Sequence, residues 1–207
     1  MNSTLIFEAC IETLEDALAA EKRGAGRIEL CSALDQDGLT PSPELTRLCI
    51  QNLHIPIRAM VRPRGGNFVY SEMEIRQMEA EIEFFKQAGV EGVVLGLLTA
   101  EGSIDIVNTE RLAKQASPLK VTFHKAIDYS SNLLKSFQEL NRIKEITSAL
   151  TSGGMDTAWN GRFKLKEMQD FPDRQITIIA AGKVLPENRI RIAEFTGISE
   201  LHGKRIV

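Results

Sequence analysis

The 207-residue sequence predicts one α/β domain, 1–207, folded as a (β/α)8 TIM-type barrel whose last helix is short or missing. Three observations predict it. Short apolar runs alternate with helical patterns roughly eight times, and repeated strand–helix units force parallel strands. No linker or change of composition divides the chain. An internal echo relates 22–30 (KRGAGRIEL) to 86–94 (KQAGVEGVV): each holds a helix end, a glycine stop and a strand. The echo favours a closed barrel over an open doubly wound sheet. The length is short for such a barrel, which typically takes about 250 residues. Little follows His202, so no closing eighth helix is expected, and that sector is left bare or covered by a neighbouring subunit.

The elements follow in order. Residues 5–10 form the first strand. Thr13, with Asp16 three residues on, opens a helix striped by Leu14, Ala17 and Leu18, and Gly24 and Gly26 end it. The second strand is 27–31. Ser42 then caps a helix with Pro43 in its first turn. The third strand, 57–61, runs into the loop Arg62-Pro63-Arg64-Gly65-Gly66. Ser71 and Glu74 start a long helix to Ala88, stopped by Gly89, and the fourth strand is 92–95. A helix from about Asn108 leads to the strand 120–123, and one near 132–143 leads to the strand 145–150. Thr151-Ser152-Gly153-Gly154 opens a helix near 156–170. The seventh strand, 176–180, is rich in β-branched residues, as a doubly buried parallel strand should be. A helix after Pro186 ends at Gly197, and a last strand around 199–201 brings the chain to His202.

Composition narrows the function classes. The chain is 43% hydrophobic and 26% charged, which suffices for a continuous core. A net charge of −3 argues against a nucleic-acid or membrane surface. Residues 1–10 lack a basic n-region, so no signal peptide or membrane span is expected. Three cysteines, Cys10, Cys31 and Cys49, are too few and odd in number for a disulfide framework. They fit a reducing compartment, and a cytoplasmic location is expected.

Polar residues fall at the predicted carboxyl ends of the strands, where parallel barrels carry function. Glu8 and Cys10 share one face of the first strand, and Glu29 and Cys31 repeat that spacing on the second. Arg62 and Arg64 follow the third strand, His124 ends the fifth with Asp128 just beyond, and His202 ends the eighth. Interior carboxylates need partners, because desolvation costs several kcal/mol and like charges raise one pKa. Arg62 and Arg64 are the expected partners, since guanidinium grips carboxylate through two parallel hydrogen bonds. The set reads either as a structural charge network or as an anion or acid–base site.

These residues resemble a known family. Glu8-Ala9-Cys10, the stretch 27–34 (RIELCSAL) and Gly38-Leu39-Thr40-Pro41-Ser42 are similar to the CutC family, described as copper homeostasis proteins. So are 60–71 (MVRPRGGNFVYS), 92–102 (GVVLGLLTAEG), 121–128 (VTFHKAID), 150–153 (LTSG) and 200–202 (ELH), in order along nearly the whole chain. The resemblance implies a (β/α)8 barrel, a cytoplasmic protein, a role in copper handling and self-association as a dimer or tetramer. The sequence departs from the family pattern at the seventh strand, where Ala180-Ala181-Gly182-Lys183-Val184 replaces a proline and three glycines, and at Lys125, where arginine is usual. Lost glycines leave backbone less room beside a ligand, while Lys183 offers a positive charge.

Two kinds of chemistry stay open. Cu(I) favours thiolate ligands, and Cys10 and Cys31 end adjacent strands about 4.8 Å apart. His124 and His202 offer nitrogens from other strands, and Cys49 and His54 are read as packing and loop residues. The alternative is an isomerase- or lyase-type enzyme acting on a small anionic or hydroxylated metabolite. Glu8 or Glu29 would then be the base and His124, with Asp128 beside it, the proton relay. Arg62, Arg64, Ser152, Gly153 and His202 would bind the ligand. A third reading is an assembly module, with Phe68, Tyr70 or Trp159 (placed on the helix after strand six) as anchors.

Overall fold

Alternating side chains on eight short strands divide the molecule into a barrel interior and an outer shell. The computed structural model describes residues 4–207. Its strands are β1 (Ile6–Ile11), β2 (Arg27–Leu30), β3 (Ile57–Met60), β4 (Gly92–Leu95), β5 (Lys120–Phe123), β6 (Ser148–Thr151), β7 (Thr177–Ala180) and β8 (Glu200–Gly203). All neighbours pair in parallel, and β8 pairs with β1 to close the barrel. Seven α-helices connect them: α1 (Leu14–Lys22), α2 (Pro43–Asn52), α3 (Glu72–Ala88), α4 (Ile106–Ala116), α5 (Leu133–Leu140), α6 (Arg162–Gln169) and α7 (Arg189–Thr196). Among the described residues no helix follows β8, as the sequence predicts. None of the helices is long and apolar enough to cross a membrane.

One set of strand positions, including Ile28, Leu30, Val93, Phe123, Ile178 and Leu201, joins the helices' apolar stripes in one continuous core. The other set forms separate small clusters: Cys10, Cys31, Met60 and Val94 in one, Leu150, Ile179 and Ala181 in the second. Polar residues in that second set carry the hydrogen bonds and ion pairs of the interior. Arg58 donates from Nε to Glu91 (2.9 Å) and from one terminal nitrogen to Thr122 (3.0 Å) and Ser148 (3.1 Å).

Local signals set the helix ends. Ser71 and Glu74 form a reciprocal capping box on α3: the Ser71 hydroxyl accepts from the Glu74 amide, and the Glu74 carboxylate accepts from the Ser71 amide at 2.7 Å. Gly89, at φ 87°, ends the same helix in the left-handed region, where a side chain is strained. Replacing Ser71 with alanine is expected to cost about 1 kcal/mol, seen as a lower urea midpoint at unchanged m-value.

Three elements differ from the sequence expectation by three residues or more, and the first is α5, which ends at Leu140 rather than near residue 143. β6 starts at Ser148, not at residue 145, because the Ile146 amide turns back to the Ile143 carbonyl (3.1 Å). α6 starts at Arg162, not near residue 156. The segment before it is spent on the β7 loop instead: the Ala158 amide donates to the Gly182 carbonyl (2.8 Å), and Gly153 and Gly154 both sit at φ 72°. Trp159 therefore lies in a loop ahead of α6 rather than on the helix.

Candidate functional site

The carboxyl ends of the strands open into a cavity of about 620 Å³. Its floor and one wall come from β1, β2 and β8. The register sets Glu8 beside Arg27 and His202, and Cys10 beside Glu29. Side chains two residues apart on one strand face the same way, so Glu8 and Cys10 meet Glu29 and Cys31 inside the barrel. The Cys10 and Cys31 sulfurs lie 3.8 Å apart, and the Cys31 thiol donates to Glu29 Oε2 at 3.6 Å. Cys10 lines the cavity, while Cys31, just past the end of β2, is fully buried and does not.

Glu8 is ion-paired to Arg27 Nε through Oε2, and its Oε1 is 2.9 Å from His202 Nδ1. Arg27 also reaches Glu200 at 2.6 Å. Burial alone would raise the Glu8 pKa, but the hydrogen bond from His202 and the charge of Arg27 outweigh it and hold the pKa near 2. His202 moves the other way. Burial disfavours its charged form, yet Glu29, 3.6 Å from Nε2, and the bonds to Cys10 and Glu8 raise its pKa well above the ordinary value. Glu29 is raised by burial. The floor is thus an ionised Glu8 beneath a protonated His202, with a carboxyl at Glu29 that retains its proton more readily than usual. Both thiols are raised too. Cys10 is raised by its hydrogen bond with Cys31 and by burial. Cys31 is relieved in part by its bond from Cys10, but burial and Glu29 push it up to about 11.

The rest of the wall comes from the ends of β3 and β5 and from the later loops. His124 is 4% exposed and Arg62 5%. The His124 ring occupies space that Gly96, just past β4, leaves free, because a methyl group at Gly96 would overlap Nδ1. Nδ1 accepts from the Ala126 amide at 3.1 Å. Burial, with Arg62 nearby, lowers the His124 pKa to about 3, so the ring is neutral with its proton on Nε2. The Phe68 ring stands between the two, 5.1 Å from the His124 ring and 5.0 Å from the Arg62 guanidinium carbon.

The structure does not gather every expected site residue. Neither Arg62 nor Arg64 is the partner of Glu8 or Glu29. Arg27 holds Glu8, since it lies opposite in the β1–β2 register and points into the barrel. Arg64 turns outward to Glu74 (2.5 Å) and to the carbonyls of Asn67 and Val69. Arg62 donates to the carbonyls of Gln36 (2.9 Å), Gly38 (3.1 Å) and Gly66 (3.3 Å). Asp128 accepts from the amides of Ser152 (2.9 Å) and Gly154 (2.8 Å) and from the Thr151 hydroxyl, which fastens the β6 loop. Asp128, Ser152 and Gly153 do not line the cavity, whereas Lys125, Lys183 and His202 do. Arg27, Arg58 and Gly96 were not read from the sequence as site residues. The period-two spacing of Arg27 ahead of Glu29 was the available signal for the first.

Two groups of metal-ligating atoms occur among the described residues: Cys10, Glu29 and Cys31, and Glu8, Glu29 and His202, each set lying within 4.8 Å. The second is already committed to its own ion pairs. The first offers two soft sulfurs and one carboxylate.

A family model, that of the CutC family, matches residues 5–207. The chain is 37% identical over 197 residues to the mouse protein named copper homeostasis protein cutC homolog, covering 95% of this chain and 72% of that one. It is 37% identical over 196 residues to a CutC family protein of Histophilus somni strain 2336, covering 95% and 80%. The structure resembles the crystal structure of a CutC protein from Streptococcus agalactiae, with a TM-score of 0.93, 33% identity, and 99% and 100% of the two chains covered.

Proposed function

We propose, from the premise that the chain belongs to the CutC family, that it serves copper homeostasis by holding Cu(I) between Cys10 and Cys31. The observation that carries this reading is the 3.8 Å separation of two unbridged thiols at the floor of the cavity. Cu(I) prefers soft sulfur donors over carboxylate and water. Both thiols keep their protons at neutral pH, so loading the ion releases protons and tightens as pH rises. Cys10, on the cavity side, is the first sulfur an incoming ion meets, and the buried Cys31 completes the pair behind it. Glu29, 3.6 Å from the Cys31 sulfur, stands beside them as a further donor. The ion is cargo in this reading. Relatives of 37% and 36% identity carry the name copper homeostasis protein, which supports the same role.

The sparse cysteines suit a reducing cytoplasm, where Cu(I) is the stable form and thiols stay free. The protein is expected to work as a homo-oligomer, a dimer or tetramer, with no nucleic-acid or membrane partner.

The test is anaerobic Cu(I) competition against a calibrated chelator. The native protein should bind one Cu(I), and Cys10→Ser/Cys31→Ser should lose about two orders of magnitude in affinity, as loss of metal-site partners commonly costs tenfold to a hundredfold. Glu8→Gln should bind nearly as tightly as the native protein. Equal affinity in the double serine variant would remove the thiol pair from the site.

A further inference from the structure

The cavity is far larger than a copper ion needs, and the wall around Arg62 and His124 is built for something else. Pockets of 300–1,000 Å³ are the usual size for small-molecule sites. Five basic side chains line this cavity against three acidic ones. Most of the basic ones are peripheral, but Arg62 is not. It is 5% exposed, and no carboxylate lies within 4 Å of it among the described residues. Its terminal nitrogens are spent on backbone carbonyls, and its buried Nε has no partner. A buried charge without a counter-ion is unfavourable, so a cation held this way calls for an anion beside it.

A second donor on the same wall is also unanswered. The Ala126 amide occupies His124 Nδ1, which leaves Nε2 as the N–H, and this buried nitrogen has no acceptor. Buried donors are nearly always paired, and an orphan is a sign of a missing partner. The third orphan among the lining residues, Glu29 Oε1, sits on β2 beside the thiols and belongs to that side. Above the wall, Lys183 follows Gly182 in the β7 loop with φ 52°, a conformation that a non-glycine residue adopts at some cost. Gly182 has to be glycine, since a Cβ would meet the Ser152 side chain at 2.9 Å. Lys183 is exposed, lines the cavity and forms no ion pair within 4 Å among the described residues.

We propose that this wall binds a small organic oxyanion, carboxylate or phosphate, with Arg62 as its counter-ion, His124 Nε2 donating to one oxygen, and Lys183 closing over it. The site is separate from the thiol pair: its residues come from β3, β5 and the β7 loop.

The test uses metal-free protein at constant ionic strength, with inorganic phosphate and malonate as the two probes. The readout is the imidazole 1H–15N spectrum, in which three histidines give separate signals, alongside calorimetric titration. At least one probe should shift the His124 Nε2–H resonance saturably. Phosphate alone would name a phosphate ester as the class, and malonate alone a carboxylate. Lys183→Ala, at an exposed position, should weaken binding about threefold. Arg62→Met should weaken it about tenfold or more. If Arg62→Met fails to fold, Lys183→Ala and His124→Asn carry the test, with His124→Asn also expected to lose about tenfold by calorimetry. Cys10→Ser/Cys31→Ser should bind the probe as the native protein does, which separates this site from the copper reading. Absence of any His124 shift up to tens of millimolar of both probes, or equal affinity in the folded variants, would overturn the proposal.

Discussion

Replacing Arg27 with alanine is expected to destabilise the protein by about 3–5 kcal/mol. Arg27 is 4% exposed and Glu8 1%. The guanidinium joins Glu8 to Glu200, so its removal leaves one interior carboxylate with half its partners and a second with none from this residue. A buried ion pair is weak evidence for net stability, but breaking one partner exposes the full desolvation cost of the other. The check is urea unfolding of Arg27→Ala, Glu8→Gln and the double variant Glu8→Gln/Arg27→Met. The double variant should be more stable than Arg27→Ala, because neither charge is left alone. Additive losses would mean the two groups do not depend on each other.

Acid should unfold the protein earlier than its carboxylates alone require, because of His124. Its pKa falls from an ordinary 6.5 to about 3 in the fold. Between those values the unfolded chain binds a proton that the folded one refuses. The His124 contribution is therefore full above pH 6.5 and is lost as pH falls, by about 1.4 kcal/mol per pH unit. Glu8 adds a second loss in the same direction below its ordinary 4.5, continuing toward its folded value of about 2. Unfolding free energy measured from pH 7 to pH 4 should show the slope in the native protein. His124→Asn, whatever its stability at pH 7, should lose most of it between pH 6.5 and 5. An equal slope in that variant would mean the buried imidazole is not what titrates.

The order of strands and helices was legible because it rests on local signals. The Ser71–Glu74 box, the Ser42–Pro43 start and the Gly89 stop each act within four residues, and each appears in the structure where the sequence puts it. Period-two spacing also placed Glu8 with Cys10 and Glu29 with Cys31 on shared faces, and the closure of the barrel brings those faces together. What the sequence did not carry was register. Whether Arg27 or Arg62 meets Glu8 depends on which residues lie opposite across β1 and β2, and no local motif encodes that. Arg62 and Arg64 have the chemistry of a carboxylate clamp, but the β3 loop folds back and supplies Arg62 with three backbone carbonyls and Arg64 with Glu74. The late start of α6 has a similar cause. Its expected first turn instead commits the Ala158 amide to the Gly182 carbonyl of the β7 loop.

The fit between Gly96 and His124 makes two neighbouring strands mutually exclusive in size. The imidazole occupies the volume a side chain on Gly96 would need, and it stays there through the Ala126 amide. The two positions therefore share a fixed quantity of space, and neither can grow unless the other shrinks. Among related barrels, a residue larger than glycine at the first position should coincide with a residue smaller than histidine at the second. Comparing aligned pairs at these two positions would thus show which relatives still possess a neutral imidazole at the mouth, without any of their structures being solved.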